Sequence, residues 1–194
     1  FSLSLILSQS SFAAERVLYS FPSGANQGAP RAALVFDAVG NLYGTSTQGG
    51  EFGFGSVFML VPSGGRYRER TIYSFTGGAD GASPYASLTP DSTGNLFGAA
   101  QSGGNGYGTV FELSPNSNGT WTQTILYSFI GGPGGDDPIG GLIFDGAGNL
   151  YGTTVSGGSA FNGNVFELSP SVGGGWTETV LHSFTDKPDG AQPE

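Results

Sequence analysis

Eight residues recur three times at a constant spacing: residues 37–44 (DAVGNLYG), 91–98 (DSTGNLFG) and 145–152 (DGAGNLYG). The intervals are 91 − 37 = 54 and 145 − 91 = 54 residues. A fixed period of this size restricts the chain to architectures in which one supersecondary unit stacks on copies of itself. Other blocks keep the same beat. An apolar run ending in Ser-Phe stands at 17–21, 71–75, 125–129 and, as VLHSF, at 180–184. A Gly/Asp-rich segment follows each run and ends in Pro30, Pro84, Pro138 and Pro193. Short apolar runs at 33–36, 87–89 and 142–144 lead into the motif. A Gly-Gly pair and a second apolar run, at 56–60, 109–113 and 164–168, lead out of it.

Each period thus holds four strand candidates, here called a to d, joined by connections short enough to require antiparallel neighbours. In strand d, Val17, Tyr19 and Phe21 are expected on one face and Leu18 and Ser20 on the other. Both faces carry apolar residues, so both must be covered. Sheets stacked on copies of themselves meet that demand. The expected fold is therefore all-β: a β-propeller of four-stranded antiparallel blades, one per 54-residue repeat.

The predicted organisation is 1–13 as a signal-peptide remnant and 14–29 as an outer strand d with its d–a loop. Blades follow at 30–83, 84–137 and 138–192, with 193–194 starting a further repeat. Three blades fall short of a closed ring, so an open arc is expected. The leader rests on residues 1–8 (FSLSLILS), a run too short to span a bilayer, followed by small residues near Ala13. It points to secretion, to an extracellular or cell-surface location, with any anchoring signal beyond residue 194.

The motif has a local explanation. Asp37, Asp91 and Asp145 end strand a, and their carboxylates can accept from backbone N–H groups of the turn. Gly40, Gly94 and Gly148 supply the positive φ of a hairpin, and Asn41, Asn95 and Asn149 open strand b. One carboxylate per loop offers too few oxygens for calcium, so neither a metal nor another cofactor is expected. The chain lacks cysteine and carries net charge −9, which disfavours nucleic acid.

In a meander the d–a and b–c loops emerge at one end of every sheet. They collect Glu51, Phe54, Asp80, Asn105, Tyr107, Asp136, Asp137, Phe161 and Asn162, with Asp186 and Asp189. Carboxylates beside aromatic rings suit a glycan or protein ligand, while gap-filling rings and turn-capping carboxylates are the structural alternative. His182 occupies the repeat position of Tyr19, Tyr73 and Tyr127 and reads as scaffold, as do Tyr67, Trp121 and Trp176 at the start of strand d. No catalytic constellation is legible.

The blocks DGAxP (80–84), DxxGNLYGTT (145–154), GTVFxL (108–113) and LYSF (126–129) together resemble the choice-of-anchor tandem-repeat GloVer family. The resemblance covers the chain after its leader. It implies a bacterial secreted or surface repeat protein; no catalytic activity follows from it. The a–b portion is also similar to NHL-type propeller repeats. Within the pattern, 131–137 (GGPGGDD) departs from the usual Asp-Gly-Ala. The functional expectation is a non-enzymatic binding or scaffold propeller. The alternative is a propeller enzyme of the sugar-lactone hydrolase or lyase type.

Overall fold

The computed structural model describes residues 16–21 and 28–193. The expected leader at 1–13 lies outside these residues. The fold is all-β, with three antiparallel four-stranded sheets and one short 3₁₀ turn at Gly132–Gly134. Sheet 1 holds β1 (Val35–Phe36), β2 (Leu42–Ser46), β3 (Ser56–Ser63) and β4 (Arg66–Ser74) in sequence order. Sheet 2 repeats this with β5 (Thr89–Pro90), β6 (Leu96–Ala100), β7 (Thr109–Pro115) and β8 (Trp121–Ser128). Sheet 3 follows with β9 (Ile143–Phe144), β10 (Leu150–Thr154), β11 (Asn164–Pro170) and β12 (Trp176–Ser183). No helix among the described residues is long and apolar enough to cross a membrane.

Strand a is shorter than its sequence suggests, at two residues per sheet. Other groups around it bond to the neighbouring sheet instead of to its own ladder. The Ala33 N–H donates to Ser87 Oγ at 3.1 Å, and Thr45 Oγ1 donates to the Ala86 carbonyl at 3.0 Å. Thr89 Oγ1 likewise donates to the Leu142 carbonyl.

The cores lie between sheets. One joins Tyr43, Val57 and Phe75 of the first repeat to Leu88, Leu96, Phe111 and Leu113 of the second. The other joins Phe97, Val110, Leu126 and Phe129 to Leu142, Leu150, Phe166 and Leu168 of the third. At their centre runs a staggered aromatic series. Phe75 meets Phe111 edge to face at 5.2 Å, and Phe129 meets Phe166 at the same distance. Phe21 makes the corresponding contact with Phe58 at 5.0 Å. Residues 17–21 form no ladder with a partner among the described residues, yet Tyr19 and Phe21 pack on Leu42, Phe58 and Leu60. The glycine closing each motif lies under this series. A Cβ on Gly44 would stand 2.6 Å from the Phe58 ring, and Gly98 and Gly152 face Phe111 and Phe166 identically.

Strict alternation along strand d does not hold. A β-bulge interrupts each c–d pairing, between Val57 and Phe58, Val110 and Phe111, and Val165 and Phe166. The extra residue turns the strand over, so Ile125 enters the core shared with sheet 1 while Tyr127 and Phe129 face sheet 3.

Core residues lose their cover at the last sheet. Phe75 and Phe129 are fully buried, whereas Phe184 is half-buried. Leu126 is 8% exposed, and its counterpart Leu181 is 49% exposed.

Candidate ligand-binding face

The two ends of the sheets differ in kind. At the a–b end all three turns use one bonding scheme. Asp37 accepts from the N–H of Val39 (3.0 Å) and Asn41 (2.8 Å), from Asn41 Nδ2 (2.7 Å) and from the Tyr43 hydroxyl (3.1 Å). Asp91 accepts from Thr93 and Asn95, and Asp145 from Ala147, Asn149 and Tyr151. Gly40, Gly94 and Gly148 have φ of +91°, +92° and +89°. Burial works against the Asp37 and Asp91 carboxylates, but these donors outweigh it and hold both below the usual carboxylate range. The Asn149 N–H, acting first among several donors, brings Asp145 down to about 2. The Tyr43 and Tyr151 hydroxyls were not foreseen from the motif, although its aromatic position is where they stand.

The other end carries the predicted binding residues. A backbone bond at equivalent points ties each b–c loop to the d–a loop after it. Ser83 N–H donates to the Phe54 carbonyl at 2.8 Å, Asp137 N–H to Tyr107 at 3.2 Å, and Gln192 N–H to Asn162 at 2.8 Å. Phe54, Tyr107 and Asn162 are therefore equivalent. Phe161, grouped with the first two by sequence, is instead the residue before that position. The second loop (101–108) is one residue shorter than the first (47–55) and the third (155–163), so an aromatic at the spacing of the first loop would have to stand at 162, not 161. Phe161 takes a φ of +61° and protrudes, 74% exposed.

Phe54 and Tyr107 are each seated on a glycine. A Cβ on Gly77 would fall 2.6 Å from the Phe54 ring, and one on Gly131 would fall 2.7 Å from the Tyr107 ring. Each ring thus lies against bare backbone while 47% and 43% of the residue stays exposed. Glu51 and Asn105 are exposed on the same loops.

The carboxylates here divide. Asp80 accepts from Thr76 N–H (2.8 Å), Thr76 Oγ1 (2.5 Å) and the Tyr73 hydroxyl (3.0 Å), so it ties its own loop to strand d. Asp189 repeats the pattern with Thr185 and with His182 Nε2 at 3.0 Å, the imidazole standing in for the tyrosine. The middle loop is different. Gly134 occupies the place of Asp80, and Tyr127 donates instead to Glu178 Oε2 at 2.8 Å on β12. The other Glu178 oxygen is buried without a partner among the described residues, as is one oxygen of Asp136. Burial pushes the Glu178 carboxyl up despite the Tyr127 donor. Burial, then the charge of Asp137, pushes Asp136 up. Sequence reasoning missed Glu178. The available signal was the alignment of Gln123 with Glu178, since Tyr73 likewise reaches Gln123 Oε1 at 2.9 Å.

Partly exposed rings pinned to backbone, with carboxylate acceptors beside them, form a surface that can stack on an apolar face and accept from hydroxyls.

A family model described as Gloeobacter/Verrucomicrobia repeat matches residues 5–194. No curated protein matches the chain significantly in sequence. Among solved structures, the chain is similar to a gluconolactonase from Xanthomonas campestris described as important in glucose secondary metabolic pathways. The identity is 14% and the TM-score 0.50, over 85% of this chain and 50% of that one. The chain therefore spans half the length of that structure, and the likeness concerns the fold.

Proposed function

The chain belongs to the Gloeobacter/Verrucomicrobia repeat family, and from that footing we propose that it is a secreted or cell-surface propeller that binds a glycan without transforming it. The ligand lies across the d–a and b–c loops. In this reading the three sheets are blades of residues 30–83, 84–137 and 138–192, set in an open arc. Residues 17–21 serve as the outer strand of an adjoining blade.

The supporting observation is the seating of Phe54 on Gly77 and of Tyr107 on Gly131. A ring that only fills a gap between sheets has no need of exposure. These two are held rigidly at equivalent points of adjacent repeats with about half of each residue in solvent. Rigid, exposed rings bind at low entropic cost. Asp137 adds an acceptor next to Tyr107, because its N–H is bonded to the Tyr107 carbonyl.

The test is binding to a panel of neutral oligosaccharides by glycan array and calorimetry. Wild-type protein should bind at least one, and the Phe54→Ala/Tyr107→Ala variant should lose that binding while keeping its melting temperature. Turnover of sugar lactones or glycosides by the wild-type protein would replace this reading with the enzymatic one.

A further inference from the structure

Three of the six basic residues sit on a single strand. Arg66, Arg68 and Arg70 alternate along β4 (RYRERTIYS), so they share one face at intervals of about 7 Å and span about 14 Å. β4 is the edge strand of sheet 1, and all three arginines are exposed. Arg70 pairs across the sheet with Met59, a residue packed toward sheet 2, which places the stripe on the outer rim facing that sheet. Arg70 also donates to the Gly119 carbonyl of the β7–β8 hairpin. A fourth guanidinium, Arg16, donates to the Gly65 carbonyl just before β4.

The fold itself does not call for these charges. The ladder positions of Arg68 and Arg70 are held by Thr122 and Thr124 in sheet 2 and by Thr177 and Thr179 in sheet 3. Among the described residues no carboxylate lies within 4.0 Å of any of the three guanidinium groups; the one such contact of a basic side chain with a carboxylate joins His182 to Asp189. Fifteen acidic residues are present in the chain. Placing like charges side by side and leaving them unpaired costs energy in the free protein, and a polyanion relieves it.

We infer that β4 of the first sheet is a second binding site, for an anionic polysaccharide. Guanidinium groups match carboxylate and sulfate in a two-pronged geometry. A linear glycan carrying one charge per sugar or per pair of sugars can follow a straight row at this spacing. Nucleic acid fits poorly. The chain is acidic, and the neighbouring ring, Tyr67, is turned to the opposite face and packed on Leu42, Phe58 and Leu60, where no base can stack on it. The site is independent of the loop face and stands whether or not that face binds a neutral glycan.

The experiment compares wild-type protein with Arg66→Thr/Arg68→Thr, which restores the threonine pattern at position 68 and spares the Arg70–Gly119 contact. An Arg31→Gln/Lys187→Gln variant serves as the equal-charge control. Probes are polygalacturonate, dextran sulfate, neutral dextran, polyglutamate and single-stranded DNA at two salt concentrations. Wild type should bind polygalacturonate or dextran sulfate, and which of the two binds more tightly identifies carboxylate or sulfate as the natural charge. The β4 variant should lose at least about tenfold in affinity, with a shallower salt dependence. The control variant should bind as wild type does. Equal loss in the control, no binding of either anionic glycan, or equally tight binding of polyglutamate or DNA would overturn the assignment.

Discussion

The a–b turns and the opposite loops are built from the same repeat, yet they obey different rules. At the turn end three aspartates accept from their own turn, and the three sites share the same backbone and asparagine bonds; at the second, Phe97 lacks the tyrosine hydroxyl and the Thr93 hydroxyl bonds Asp91 in its stead. At the loop end each repeat departs from the others. Asp80 and Asp189 cap their loops, Gly134 leaves that role empty, and the ring position passes from Phe to Tyr to Asn. A motif repeated with its full bonding intact serves the scaffold. Variation at equivalent points on a rigid frame is the arrangement expected of a recognition surface.

The comparison is most exposed to failure at Asp37. Replacing it with Ala removes the acceptor of three N–H donors and one hydroxyl, and should cost about 2 kcal/mol in urea unfolding. A loss no larger than that of a surface substitution would mean that the turn end is not the scaffold. The same logic predicts an acid transition. The turn aspartates have folded-state pKa values below the ordinary 3.8, so their contribution is complete above that value and is lost as pH falls toward about 2, the value for Asp145. Thermal melts between pH 5 and pH 2 should show the decline, and Asp→Asn at the three positions should flatten it.

Next in size is Gly94→Ala. Nothing lies within 4 Å of the added methyl, so the expected loss of about 1 kcal/mol is purely the strain of a φ near +92°. Smaller still, and opposite in sign, is Glu178→Gln. The folded-state pKa of Glu178 is raised, so the ionised form costs stability once pH climbs above the ordinary 4.5. Gln keeps an acceptor for Tyr127 without the charge. The variant should melt higher than wild type at pH 7, by less than the Gly94 loss, and the advantage should vanish below pH 4.5. Smallest is Phe54→Ala, which should leave stability within about 0.5 kcal/mol while removing glycan binding. A large loss of stability there would make the ring a packing element and dissolve the contrast between the ends.

Sequence reading reached these two ends unequally. The turn was legible because its backbone partners lie within four residues of Asp37, at Val39 and Asn41, whereas the Tyr43 hydroxyl, six residues on, was not foreseen. The strand order was legible because short connections admit one antiparallel arrangement. The bulges were not, since a bulge belongs to two strands at once and leaves no mark on either alone. Glu178 was missed for a related reason: its partner Tyr127 lies 51 residues away, in the preceding repeat, just as Gln123 lies 50 residues from Tyr73. Phe161 misled because composition groups aromatic residues, whereas the backbone bonds of the loops decide which position is in register, and that position is Asn162.

The staggered aromatic series also has a consequence for synthesis. Phe75 is buried by Phe111, and Phe129 by Phe166, at separations of 111 − 75 = 36 and 166 − 129 = 37 residues. No repeat can therefore complete its own interior when it leaves the ribosome. At about 5–20 residues per second, each ring waits roughly 2–7 s for its partner. During that interval the newest sheet presents an uncovered aromatic face to whatever is nearby. A nascent chain of this kind is most at risk of association at the boundary between one repeat and the next, and the risk recurs once per period.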